Sequence, residues 1–113
     1  PVPILIGGHA APALKRAARL GDGWISANSD YESLSKLIAE LNGYRKVFGT
    51  AHRKDFEIHV IDSSARSAAD FQRLEALGAT EAALIAWGPE VRDRQMQLDA
   101  IKRFGDEVVA KFR

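Results

Sequence analysis

The chain has 113 residues, which is enough for one compact domain. Hydrophobic residues make up 46% and charged residues 27%, a balance that excludes an intrinsically disordered chain. The net charge is +1 with acids and bases interspersed, so nothing favours nucleic acid or an anionic membrane as a partner. The chain contains no cysteine, which excludes disulfides, thiolate metal sites and a cysteine nucleophile and is typical of a cytoplasmic protein.

Two further features concern the type of chain. The apolar runs are far shorter than the roughly 20 residues of a membrane helix, and no signal-peptide pattern opens the sequence. The first residue is Pro1 and the chain begins directly in a predicted strand, so we expect a piece of a longer protein.

Strand and helix patterns alternate from the start of the chain. The apolar run 1–6 predicts a buried parallel strand that ends at Gly7 and Gly8. Residues 12–20 predict an Ala-rich helix, with Pro12 in its first turn and Gly21 at its end. Its inner stripe is predicted to consist of small or apolar residues, namely Ala13, Leu14, Ala17 and Ala18. Residues 24–27 predict a second, short strand.

The second part of the chain continues the alternation. Ser29 and Glu32 have capping-box spacing and predict the start of a helix that runs to about residue 48. Residues 56–61 predict the third strand, Ser67 the cap of the third helix, and residues 82–87 the fourth strand. The last helix is predicted to bury an apolar face made of Met96, Ile101, Phe104, Val108 and Phe112.

Strands that alternate with helices are parallel, because each helix returns the chain to the starting end of the next strand. The sequence therefore predicts an α/β fold with one domain over residues 1–113. Its four βα units are either a parallel (βα)4 half of a (βα)8 TIM barrel or a small open four-stranded sheet.

The best candidate site is the turn after the first strand. Gly7 and Gly8 precede a helix N-terminus, where glycines let an anion approach the backbone N–H groups and the helix dipole favours negative charge. Taken alone, the Gly-Gly pair is a weak motif and favours a plain strand-to-helix turn over an anion site.

The longer pattern around this turn is more specific. Residues 4–25, ILIGGHAAPALKRAARLGDGWI, combine an apolar strand, Gly-Gly, an Arg-Ala-Ala-Arg helix and Leu-Gly-Asp-Gly-Trp. This stretch resembles the signature of the bacterial luciferase-like flavin and deazaflavin oxidoreductases. The resemblance implies the C-terminal half of a (βα)8-barrel oxidoreductase or monooxygenase that acts on a small organic substrate.

The resemblance also implies a cofactor, FMN or a 5-deazaflavin coenzyme of the F420 type, whose phosphate this half holds. The implied cofactor-binding residues are Gly7, Gly8 and His9 at the phosphate, with Gly23 and Trp24 at the adjacent strand. The family often has Ser or Thr two residues after the second glycine, where this chain has Ala10. The phosphate would then depend on backbone amides and on His9.

Several side chains keep two interpretations. His9 could donate to a phosphate or cap the helix, and Trp24 and Trp87 could flank a flat ring or pack in the core or at its rim. Asp22 is expected to shape its turn. Ser63 and Ser64 could cap a turn or face a ligand at the carboxyl end of the strands.

His59 is predicted to lie with Glu57 on the face of the third strand that points into the barrel. A metal pair needs more ligands than these two, and His52 has no evident partner, so no metal site is predicted. His59 could transfer protons or be a buried, hydrogen-bonded histidine. No catalytic residue is identified, because the cofactor would carry the redox chemistry.

An isolated half-barrel leaves two open sheet edges and an uncovered inner face. We therefore expect a homodimer or larger homo-oligomer, in which two copies could rebuild an eight-stranded barrel. Two other functional hypotheses stay open: a catalytically inactive structural or assembly fragment, and half of another phosphate-binding TIM-barrel enzyme that holds a sugar phosphate.

Overall fold

The computed structural model describes all 113 residues, and four strands alternate with four helices along them. The elements are β1 (Leu5–Gly7), α1 (Ala11–Leu20), β2 (Gly23–Asn28), α2 (Tyr31–Val47), β3 (Glu57–Ile61), α3 (Ala68–Ala76), β4 (Glu81–Ala83) and α4 (Arg94–Glu107), followed by a short 3-10 helix (Val109–Phe112). All strand pairs are parallel and the sheet order is β1-β2-β3-β4. This confirms the predicted α/β fold with four consecutive βα units.

The hydrophobic core lies between one face of the sheet and helices α1, α2 and α3. Trp24 of β2 and Val60 of β3 are fully buried there, as is Leu14 of α1. The predicted inner stripe of α1 is confirmed, because its buried residues are Ala13, Leu14, Ala17 and Ala18. The small side chains let α1 lie close to the strands.

Helix α2 begins one residue later than its predicted capping box. Asp30 is the N-cap, and its Oδ1 accepts a hydrogen bond from the backbone N–H of Ser33 at 2.8 Å. Ser29 instead donates its hydroxyl to the Ala27 carbonyl at 3.2 Å. The predicted Ser29 cap is wrong because two adjacent residues could both cap, and the ionised carboxylate is the stronger acceptor at a helix N-terminus.

Helix α3 has the N-terminus that the sequence predicts. The Ser67 side chain accepts from the Asp70 N–H, and the Asp70 carboxylate accepts from the N–H of Ser67, which completes a capping box. Beyond its end, Gly78 has φ +107°, a left-handed conformation that stops the helix without strain.

Both edge strands and the last helix depart from prediction. Strand β1 is Leu5–Gly7 and residues 1–4 are exposed, so the buried strand predicted over residues 1–6 is wrong for its first four residues. Strand β4 covers Glu81–Ala83 only, so the predicted strand over residues 82–87 is wrong for its last four residues. In addition, α4 buries none of its residues, and Met96, Ile101 and Phe112 stay 45%, 50% and 44% exposed. Of the predicted apolar face, Val108 at the end of α4 is buried and Phe104 packs edge-on against Phe71. The physical reason is the same for β4 and α4: β4 has a neighbouring strand on one side only, and α4 has no second layer to cover it.

The turn before β2 ties together the amino ends of two strands. The Asp22 carboxylate accepts from the Ile4 N–H at 2.7 Å and lies 3.3 Å from the Arg53 guanidinium. The Ile4 hydrogen bond, with help from Arg53, lowers the pKa of Asp22. Asp22 therefore shapes this turn, as predicted.

The second face of the sheet is not covered by any helix. Ile58 and Val60 point to the core, while Glu57 and His59 lie on this other face, as the alternation in the third strand predicts. The strand register places Gly7, Ile25, His59 and Glu81 in one row across the sheet. In a closed barrel this face is the interior. None of the helices combines the length and apolar character that a membrane crossing requires.

Candidate functional site

The candidate anion site is the turn that joins β1 to α1. Gly8 has φ +114°, and a Cβ atom at this position would lie only 2.7 Å from the Ala13 side chain. The Gly8 carbonyl accepts a hydrogen bond from the indole Nε1 of Trp24 at 2.8 Å. Both the conformation and the space therefore require glycine, and the indole fixes the turn in position.

The N-terminus of α1 presents unpaired amides to this turn. The N-cap is Ala10, which offers no side-chain cap, and no acidic residue lies in the first turn. Outside the helices and strands, no hydrogen bond uses the N–H of Gly8, His9 or Ala10 as its donor. Exposed N–H groups at the positive end of a helix dipole are the elements of an anion-binding site.

His9 connects the same turn to the carboxyl end of β2. Its Nε2 accepts a hydrogen bond from the Ala27 N–H at 2.9 Å, so in the neutral ring the proton lies on Nδ1. The ring packs against Trp24 with centroids 5.9 Å apart. His9 therefore does not cap α1 through its side chain, and its Nδ1–H remains a donor available to a ligand.

Gly23 and Trp24 support the site from a distance. Trp24 is fully buried, so it packs in the core and contacts the turn through its indole N–H and through the His9 ring. Gly23 pairs with Leu5, three residues before Gly8, which places it about 10 Å further down the sheet. A Cβ at Gly23 would lie 2.6 Å from the Leu5 side chain and would also strike the Glu57 carbonyl, so this glycine permits close strand packing.

Hydrogen bonds also occupy the turn after β3. The Asp62 carboxylate accepts from both the N–H and the hydroxyl of Ser64, and Asn28 Oδ1 accepts from the Ser63 N–H at 3.0 Å. Of the two interpretations of this pair, the geometry thus supports the turn-forming one for Ser64. The second tryptophan, Trp87, lies partly exposed beyond the end of β4 and is not part of the buried core cluster.

A second cluster lies on the uncovered inner face, in the row that contains Gly7. His59 Nε2 is 3.1 Å from Glu57 Oε1 and 3.2 Å from Glu81 Oε1. The neighbouring Glu81 carboxyl, with His59 second, lowers the pKa of Glu57, whereas the Glu57 carboxyl raises the pKa of Glu81. Sequence analysis found Glu57 and His59 but missed Glu81, which it left just outside the fourth strand. The strand register would have identified Glu81, because it is the register partner of His59.

Comparison with known proteins places this geometry in a known fold. No family model matches the chain. Three uncharacterized proteins are similar to it, one from Mycobacterium bovis and two from strains of Mycobacterium tuberculosis. Each is 36% identical over 116 aligned positions, which cover 98% of this chain but 39% of the relative. The chain thus spans well under half the length of these relatives.

A solved structure, that of coenzyme F420-dependent tetrahydromethanopterin reductase from Methanopyrus kandleri, shares the fold. The TM-score is 0.70 at 10% sequence identity, and the match covers 99% of this chain and 51% of the reductase chain. At this identity the likeness defines the fold alone. The chain has the architecture of half of a (βα)8 barrel of the kind found in that reductase.

Proposed function

We propose that this chain is the cofactor-phosphate-binding, C-terminal part of a flavin- or deazaflavin-dependent oxidoreductase. The observation that carries the proposal is the turn at Gly8, where unpaired amides of Gly8, His9 and Ala10 meet the positive end of α1. A phosphate group carries a negative charge and acceptor oxygens, which complement the free N–H donors and the positive helix end of this turn.

The residues of the turn fit a phosphate monoester or diester. Gly7 and Gly8 bring the backbone close to the phosphate, the amides donate to its oxygens, and His9 adds its Nδ1–H. Gly23 and Trp24 contribute indirectly, through strand packing and through the hydrogen bond that holds the Gly8 carbonyl. Bound FMN or deazaflavin supplies hydride transfer. The protein's own part is placement of the phosphate end.

Two further observations support an oxidoreductase over another phosphate-binding barrel enzyme. The residues 4–25 resemble the luciferase-like signature throughout, including the Gly-Asp-Gly-Trp turn. The reductase that shares the fold is named for coenzyme F420. We propose a deazaflavin or FMN, with a small organic molecule as substrate, and residues outside this chain completing the catalytic site.

The test is a cofactor titration of the protein and of its Gly8→Val variant. FMN and coenzyme F420 are added separately and binding is followed by the change in cofactor fluorescence. Valine cannot adopt φ +114° beside Ala13, so we expect at least about a tenfold loss of affinity, the equivalent of one lost charge-assisted hydrogen bond. His9→Ala should lose a smaller factor and retain the turn.

The matched control is Gly43→Ala, which adds a methyl group in α2 where nothing lies within 4 Å. It should bind like the unmodified protein, and circular dichroism should show all variants folded. Unchanged affinity in Gly8→Val would remove the turn from the site. Binding of a sugar phosphate without either coloured cofactor would instead support the sugar-phosphate enzyme.

We also propose that the uncovered inner face and the free edges of β1 and β4 pair with another half-barrel. In a longer protein the remaining barrel units would fill this place, and in the isolated chain a second copy would do so. The exposed apolar side chains of α4 support this proposal, because a half-barrel partner would cover them.

A further inference from the structure

Three side chains with metal-ligating atoms converge on the inner face of the sheet. The ligand atoms of Glu57, His59 and Glu81 all lie within 4.8 Å of one another. Two ligands that each bind Zn²⁺ at about 2.1 Å in a tetrahedral site lie about 3.4 Å apart. The observed separations from His59 Nε2, 3.1 and 3.2 Å, are close to that spacing. Small side-chain rotations that widen these two separations are enough to place one ion between the three ligand atoms.

The backbone holds the three residues in a fixed relation. Glu57 and His59 are two residues apart on β3 and therefore share a face, and Glu81 is the register partner of His59 on β4. On the other side of β3, Glu57 pairs with Gly23, and the Leu5 side chain fills the space beside that glycine. A fourth ligand, such as water, would therefore approach from the uncovered face of the sheet, where the Glu81 side chain is 55% exposed.

The charges of the cluster are not balanced by the protein. None of the chain's ion pairs joins Glu57 or Glu81 to a lysine or an arginine. His59 is the one basic group in contact with both carboxylates, and its side chain is only 22% exposed. Two carboxylates around one imidazole attract a further positive charge. Inside a closed barrel this electrostatic attraction is stronger, because water is excluded.

We propose that Glu57, His59 and Glu81 bind a divalent transition-metal ion, with Zn²⁺ as the best match. One imidazole and two carboxylates are borderline-to-hard donors of the kind that zinc sites use. The ion would join β3 to β4, which is only three residues long and has one neighbouring strand. Binding to the folded state alone would therefore stabilise the least supported strand of the sheet.

The test uses tag-free protein freed of metal with a chelator. Isothermal titration with Zn²⁺ should show one ion per chain, and Co²⁺ should give the visible absorption of a low-coordinate site. Zn²⁺ should also raise the melting temperature and slow hydrogen exchange at β4. Glu57→Gln, His59→Ala and Glu81→Gln should each weaken binding by more than about tenfold, since each removes a direct ligand.

The matched control is His52→Ala, because His52 is an exposed histidine outside the cluster. It should bind Zn²⁺ like the unmodified protein. The glutamine variants keep the size of the side chain, and circular dichroism establishes that they fold. Absence of binding at micromolar Zn²⁺ would overturn the proposal in favour of a proton shared by the cluster. Equal binding by Glu81→Gln would overturn it as well.

Discussion

The two central strands, β2 and β3, and the last βα unit of this chain differ in how completely they bury their apolar side chains. Around β2 and β3, the largest fully buried side chains include Trp24, Leu14, Leu34, Leu41 and Val60. In the last unit, α4 buries none of its residues and leaves Leu98 and Ile101 about half exposed. An apolar groove of about 570 Å³ remains between α3, β4 and the C-terminal helices.

The difference shows what a βα unit needs from its neighbours. Strands β2 and β3 have a strand on each side, and α1 and α2 pack on each other as well as on the sheet. Strand β4 is an edge, and its helix has a neighbour on one side only. The last unit therefore has an amphipathic sequence, as a packed element does. It lacks a neighbouring βα unit against which its apolar side chains could pack.

The largest expected effect is dimerisation, which would remove the difference in burial between the central strands and the last βα unit. If a second copy completes the barrel, size-exclusion chromatography with light scattering should give twice the mass of the chain. In that assembly α4 and the inner face become covered, and hydrogen exchange of α4 should slow as protein concentration rises. A monomer at all micromolar concentrations would contradict the dimer and leave the last unit exposed.

Within one chain, matched core truncations should show the contrast directly. Leu14→Ala removes a fully buried side chain and should lower the free energy of unfolding by about 2–5 kcal/mol. Ile101→Ala removes a side chain that is half exposed and should change the free energy of unfolding by no more than about 0.5 kcal/mol. Urea unfolding measures both. Similar losses would mean that α4 belongs to the cooperative core.

The smallest effect concerns two equivalent helix caps. Asp30 caps α2 and Asp93 caps α4, each accepting from an N–H at 2.8 Å. Asp30→Ala should lower the melting temperature by a few degrees, and Asp93→Ala by less, because α4 adds little to the core. Thermal unfolding measures both changes, and an equal loss would contradict the contrast.

The Asp30 cap should also depend on pH. The Ser33 N–H, with the Ser33 hydroxyl second, lowers the pKa of Asp30. The folded carboxyl therefore stays ionised to lower pH than the unfolded one. Its contribution is fully present above the ordinary aspartate value near 4 and is lost as the pH falls through the lower, folded pKa. The difference in melting temperature between Asp30→Asn and the unmodified protein should therefore decrease over the same pH range.

The sequence predicted those parts of the fold that local pattern determines. The inner stripe of α1, the Ser67 cap, the position of Gly8 and the two faces of β3 follow from periodicity and backbone sterics, and the structure agrees. The order of the units followed from the alternation of strands and helices.

Other features depend on neighbours that a local pattern does not contain. The apolar run 82–87 reads as a full strand, yet pairing stops at Ala83 because β3 ends at Ile61, the register partner of that residue. The link between Glu81 and His59 required the register, and the contact of His9 with Ala27 required the relative position of two turns. For the same reason, the core position of Trp24 stayed open until the helices were placed.

The hydrogen bond from Trp24 to the Gly8 carbonyl has an optical consequence. The chain has two tryptophans, one fully buried with its N–H bonded to the proposed phosphate turn, and one partly exposed beyond β4. Replacing Trp87 with phenylalanine leaves a single tryptophan, whose indole N–H is bonded to the Gly8 carbonyl. Occupation of the turn could then be followed by intrinsic fluorescence, even with a colourless ligand such as inorganic phosphate.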